Sequence, residues 1–208
     1  MSDTNRRPLN SRDSAWAKRL ATRLVESRIT PNQISQASVG FAGLGFLLFW
    51  AASCTGGVVQ FLGLILAAAT IQARLICNLL DGMVAIEGGK SAKTGPFWNE
   101  APDRAADILF LAGAGLAAHT SALGLAAAAL AIATAYIREL GRAEGFPPDF
   151  SGPMAKPHRM AALTVGSLIA AVYAPHWVLT VTLWIIAIGT AATILRRSHR
   201  LLTALNAR

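Results

Sequence analysis

Six apolar runs, each near the length of a membrane crossing, organise the chain: 34–54, 58–80, 104–120, 122–141, 160–176 and 177–196. A helix needs roughly 20 apolar residues to cross the hydrocarbon core, so each run predicts one transmembrane helix. The third and fourth are parted only by the polar "HTSA" of His119–Ala122, and the fifth and sixth turn at "APHW", Ala174–Trp177. A different pattern precedes them. On a helix, Trp16, Ala17, Leu20, Ala21, Leu24 and Val25 cover one side, while Lys18, Arg19, Thr22, Arg23 and Glu26 cover the other. An apolar stripe bearing Trp, opposite a basic face, predicts a helix lying in the membrane interface. "TPNQ" ends it. Pro31 disfavours helical geometry at Thr30, and Asn32 is expected to cap the helix that follows. The expected fold is an all-α integral membrane protein: an interfacial segment over 1–33, six transmembrane helices over 34–200, and a C-terminal tail over 201–208.

Composition agrees, with 53% hydrophobic and 14% charged residues against about 25% charged in soluble domains. The basic residues then orient the chain. They gather before the first run (Arg6, Arg7 and Arg12 among them), between the second and third (Lys90, Lys93), around the fourth-to-fifth connection (Arg138, Arg142, Lys156, Arg159) and after the sixth; the other three connections have none. Cytoplasmic loops are enriched in Lys and Arg, so both termini are expected in the cytoplasm. The net charge of +8 reads as this bias plus attraction to anionic lipid, and no nucleic acid is expected as a partner. The first long apolar run begins only after Pro31, which argues against a cleavable leader. Trp50 and Trp177 are expected as interfacial anchors near the outer helix ends. Cys54 and Cys77 fall on opposite sides of the bilayer and are expected as packing residues, not as a disulfide or metal pair.

One stretch departs from this apolar background. Asp81, Glu87, Glu100, Asp103 and Asp107, five of the chain's eleven acidic residues, lie within 78–107. Carboxylates near membrane depth are expensive and usually face a bundle interior or a water-filled cavity. Asn78 and Asp81 are three apart and share a helical face, and Asn99, Asp103 and Asp107 recur at steps of four on the next helix. Two oxygen-bearing faces joined by a short loop suit a hard divalent cation such as Mg2+. Zinc fits less well, with no His nearby and Cys77 off this face. Asp107 is expected to pair with Arg104 or Arg138 in preference to binding metal.

These residues resemble the signature of the CDP-alcohol phosphotransferases, D-x2-D-G-x2-A-R-x8-G-x3-D-x3-D. Asn78 occupies the first acidic position, followed by Asp81, Gly82 and Ala85; Ile86 stands in the arginine position, then come Gly95, Asn99 and Asp103, all at the family spacing. The resemblance covers essentially the whole chain. It implies transfer of a substituted phosphate from a CDP-alcohol such as CDP-diacylglycerol to a hydroxyl acceptor, with release of CMP, in phospholipid biosynthesis. By that resemblance Asp103 is the general base, and Asn78, Asp81, Asn99 and Asp103 hold one or two Mg2+ or Mn2+ ions. Asp81, Gly82, Ala85 and Gly95 receive the CDP moiety. Arg142, Lys156 and Arg159 are candidates for an acceptor phosphate, a role that suits cations. The implied partners are the CDP-alcohol, a small polyol or phosphorylated alcohol, and membrane lipid, with a homodimer expected from the family alone. The implied location is a bacterial inner membrane, the active site facing the cytoplasm.

Asn78, Ile86 and Asn99 depart from the signature. Neutral amides still offer oxygen to Mg2+ but bring no charge, so weaker metal binding is expected. Asp81 and Asp103 are kept, which favours an active variant. The alternatives are a catalytically silent membrane protein that binds lipid or nucleotide, and a small transporter. The charges cluster at one membrane face and not at the midplane, which speaks against a transporter.

Overall fold

Every apolar run folds as a helix, and most helices overrun their runs. The computed structural model describes residues 14–89, 93–173 and 175–208. Arg6, Arg7, Arg12, Lys90 and Ala174, with residues 1–13 of the expected interfacial segment, lie outside the described residues. Among the described residues there are seven helices and no strand: α1 (Ala15–Glu26), α2 (Pro31–Cys54), α3 (Gly57–Glu87), α4 (Gly95–Ala117), α5 (Ser121–Ala143), α6 (Lys156–Val172) and α7 (Pro175–Asn206). Four of them, α2, α3, α5 and α7, are long and apolar enough to cross a membrane. The other two expected spans fold but fall short for physical reasons. The first turns of α4 carry Asn99, Glu100, Asp103 and Arg104, and α6 has only 17 residues.

The junction before α2 differs in detail from the sequence expectation. Thr30, extended at φ −91° and ψ 151°, is the N-cap. Its hydroxyl accepts from the Gln33 N–H at 3.3 Å, and the Gln33 side chain accepts from the Thr30 N–H at 2.9 Å. Two orphan donors are thus satisfied reciprocally in a capping box, with Pro31 in the first turn, where no N–H is missed. Asn32, expected as the cap, instead donates to the Thr94 hydroxyl just ahead of α4, at 3.1 Å.

The apolar stripe of α1 is spent largely on protein. Ala17 and Ala21 are fully buried and pack with Ile34, Leu79, Leu80, Met83 and Val84, while Trp16 stays exposed. This seats α1 beneath the last turns of α3, where the polar motif begins. Cys77 packs partly against the same cluster, but Cys54, also expected as a packing residue, is exposed. At the far end of its hairpin, α4 meets α5 through Gly115 and Gly124. A Cβ on Gly124 would stand 2.6 Å from the Leu111 carbonyl oxygen and 2.7 Å from the Gly115 Cα, so only glycine permits this approach. The main core lies between these helices and α6 and α7, around Phe49, Phe110, Leu111, Leu163 and Ile186. At the chain's end α7 continues unbroken to Asn206, so the expected tail over 201–208 is mostly helix.

Candidate active site

Three helices bring the polar residues of the motif to one end of the bundle. On α3, Arg74, Asn78 and Asp81 follow at spacings of four and three and so line one face. On α4, Asp103 faces them across the interface. Lys156 opens α6, which packs against α3. Asp103 is the hub. Its Oδ1 accepts from Arg74 Nη2 at 2.5 Å and from the Asn78 amide at 2.6 Å, and its Oδ2 receives the Lys156 ammonium.

Burial works against the charge on Asp103, but Lys156 and Arg74 outweigh it and hold the carboxyl well below the usual carboxylate range. Lys156 responds in the opposite direction. Burial, reinforced by the Arg74 cation, pushes its ammonium down to about 8, against the pull of Asp103 and Asp107.

Asp81 is placed differently. It is buried, its Oδ2 accepts from the Ser35 hydroxyl of α2 at 2.9 Å, and among the described residues no ion pair reaches it. A buried carboxylate without a cation is costly. Asn99, one turn before Asp103, is exposed, and its amide makes only a long 3.4 Å contact with Glu100. Gly82 and Ala85 are half-buried on α3, and Ile86 is exposed. A Cβ at Gly95 would meet nothing within 4 Å, so the packing of the chain does not itself demand glycine there.

The cations of the α5–α6 connection divide. Arg142 sits at the end of α5, paired with Glu139 at 2.8 Å, and no contact joins it to Lys156. Arg159 is buried inside the bundle. Its Nη2 pairs with Asp107 Oδ2 at 2.9 Å and its Nη1 donates to the Met154 carbonyl at 3.1 Å. Asp107 therefore finds its partner on α6, not in Arg104 or Arg138 as the sequence suggested. Those two arginines converge on Glu100, at 3.2 Å and 2.6 Å. Arg197 of α7 donates to the carbonyls of Ser151 and Thr134, both at 2.9 Å, and so fixes the loop that delivers Lys156.

Sequence reasoning passed over Arg74 and Ser35. Arg74 did carry a signal, as a basic residue set more than a full turn inside an apolar run, where an ionisable residue marks function by default. Ser35 carried none; only the crossing of α2 over α3 brings it to Asp81.

The fold recurs in known proteins. No family model matches the chain. The phosphatidylinositol phosphate synthase of Mycolicibacterium smegmatis is 26% identical over 204 residues, covering 89% of this chain and 83% of that one. The phosphatidylinositol phosphate synthase of Mycobacterium tuberculosis, solved with CDP-DAG bound, superposes with a TM-score of 0.76 at 21% identity, over 91% of this chain and 95% of its own. These relatives are phosphatidylinositol phosphate synthases, and the chain shares the fold of the solved one. A second structure of the M. tuberculosis enzyme, in complex with manganese and citrate, gives a TM-score of 0.75 at 21% identity, over 90% of this chain and 89% of that one. Asn78, Ile86 and Asn99 are the positions where the chain departs from the signature it resembles.

Proposed function

We propose that the chain transfers a phosphatidyl group from a CDP-alcohol such as CDP-diacylglycerol to the hydroxyl of a phosphorylated alcohol, inositol phosphate being the leading candidate. The reading also takes α4 and α6 as spans alongside α2, α3, α5 and α7. It places both termini and the site at the cytoplasmic face of a bacterial inner membrane. The observation that carries the activity is the meeting of Asp103 with Lys156. A carboxylate able to take a proton and a cation able to hold a phosphate share one contact at the polar end of the bundle.

The residues present fit a divalent ion. The donor set is oxygen only, and Asp81 is a buried carboxylate that no cation of the described residues neutralises. Asp81 and the amide oxygens of Asn78 and Asn99, beside Asp103, are the residues that would hold Mg2+ or Mn2+. Such an ion supplies neutralisation of the donor diphosphate and of the charge developing on departing CMP.

The chain's own groups do the rest. The open space at Gly95, with Gly82 and Ala85 on α3, leaves room for the nucleotide and its phosphates to approach backbone. Lys156 leaves Asp103 Oδ2 for the acceptor's phosphate, which is the stronger anionic partner. The freed oxygen becomes a better base once one cation has moved away. The acceptor hydroxyl then gives its proton to Asp103 as its oxygen bonds to the donor phosphorus, and the bond from that phosphorus to the CMP oxygen breaks. Arg74 and Asn78 hold Asp103 Oδ1 throughout, so the carboxylate keeps its orientation. Arg159, locked on Asp107, keeps the first turn of α6 in place and so aims Lys156.

The test is release of CMP from CDP-diacylglycerol by the purified chain with Mg2+ or Mn2+. Inositol phosphate, glycerol phosphate, serine and a free polyol are offered separately, and the lipid product is identified by mass spectrometry. Release with a phosphorylated acceptor is expected. Nucleotide binding without turnover on any acceptor would instead leave the chain a silent binder, as its two neutral motif positions would then explain.

A further inference from the structure

Among the described residues Arg74 is the largest fully buried side chain, yet only one of its nitrogens finds a partner there. Nη2 is bonded to Asp103 Oδ1 at 2.5 Å, whereas Nε and Nη1 are buried with no hydrogen bond. Leaving donors of a buried guanidinium unsatisfied is costly, so the position of this charge needs a reason. The charges around it supply one. Asp103 is met by Arg74 on one oxygen and by Lys156 on the other, with Arg104 at 3.7 Å on that second oxygen, while neighbouring Asp81 is met by no cation among the described residues. Asn78 completes the pattern, because its amide donates to the same oxygen that Arg74 holds. A carboxylate at position 78 would face Asp103 across 2.6 Å and repel it; an amide there needs no counter-ion.

We infer that Arg74 is a built-in substitute for a metal charge. The site takes a single divalent cation, held at Asp81, and the Asp103 side is neutralised permanently by the chain itself. Arg74 cannot withdraw, being wholly enclosed, and a guanidinium does not lose its proton. A dication at Asp103 Oδ1 would therefore stand against a fixed positive charge. Arg74 and Lys156 equal in sum the charge of Asp81 and Asp103, so the site with one dication keeps a net positive charge for an anionic substrate. The inference rests on the proposed activity only for the identity of the site.

The experiment is a Mn2+ titration of the full chain in lipid nanodiscs without substrate, counting bound ions by electron paramagnetic resonance. One ion per chain is expected. Asp81→Asn should remove it, and Asp103→Asn should keep it. Arg74→Gln, which can still donate to Asp103 but carries no charge, should admit a second ion or bind Mn2+ at least tenfold more tightly. Arg74→Lys should titrate like the unaltered chain. A tighter metal site is not what structural damage produces. Two equivalent ions in the unaltered chain would overturn the inference, as would loss of the ion from Asp103→Asn with retention in Asp81→Asn. So would a folded Arg74→Gln whose Mn2+ affinity is unchanged or weaker. Should Arg74→Gln fail to fold, the ion count and the two aspartate variants still decide. The reading of activity is tested separately by CMP release, which can fail while the ion count stands.

Discussion

Removing one partner of the Asp107–Arg159 pair should unfold much of what positions Lys156. The pair joins α4 to α6 at 2.9 Å, with the Asp107 side chain wholly buried and that of Arg159 only 3% exposed. Asp107 Oδ1 and Arg159 Nε have no other hydrogen bond, so neither charge has a substitute partner in place. Truncating one member of such a pair leaves an uncompensated buried charge, which typically costs about 3–5 kcal/mol. At roughly 1.4 kcal/mol per factor of ten, that is on the order of a hundred- to several-thousand-fold in the folding equilibrium. Removing both charges together should cost less than either single change, because no unpaired charge remains. The assay is reversible unfolding in mixed micelles, followed by tryptophan fluorescence, for Asp107→Ala, Arg159→Met and Asp107→Leu with Arg159→Met. Single variants within about 1 kcal/mol of the unaltered chain, or a double variant costing the sum of the two, would refute the reasoning. They would show that water or lipid headgroups already solvate this pair.

Other expectations concern the site and the helix contacts. Asp103→Asn should abolish CMP release while leaving the protein folded and inserted, measured as turnover per folded molecule; near-normal turnover would remove Asp103 from the mechanism. Lys156→Ala should raise the KM of the phosphorylated acceptor far more than that of the CDP-alcohol, and equal effects on both would point away from acceptor recognition. Gly124→Ala should destabilise the α4–α5 hairpin by about 1–3 kcal/mol in thermal unfolding, since the new methyl meets backbone atoms that cannot turn aside. An unchanged melting temperature would show that the two helices separate at no cost.

The sequence by itself determined the helices, because apolar runs of membrane length leave the backbone no other way to satisfy its hydrogen bonds in lipid. It also singled out Asp81 and Asp103 as candidates, since the spacing from Asn78 to Asp103 is a local, one-dimensional pattern. Partner choice was out of its reach. Asp107 has basic neighbours along the chain in Arg104 and Arg138, yet Arg159 reaches it, because only the packing of α6 into the bundle decides which cation enters the buried interior. The cap before α2 shows the same limit on a smaller scale: Thr30 and Asn32 both bear suitable oxygens, and the actual path of the backbone selected Thr30. Arg74 was visible as a charge in an apolar run, but its meaning depended on Asp103 lying opposite, twenty-nine residues further along. Side-chain chemistry and periodicity are written locally; which charges neutralise one another is a property of three helices meeting, and only the tertiary structure decided it.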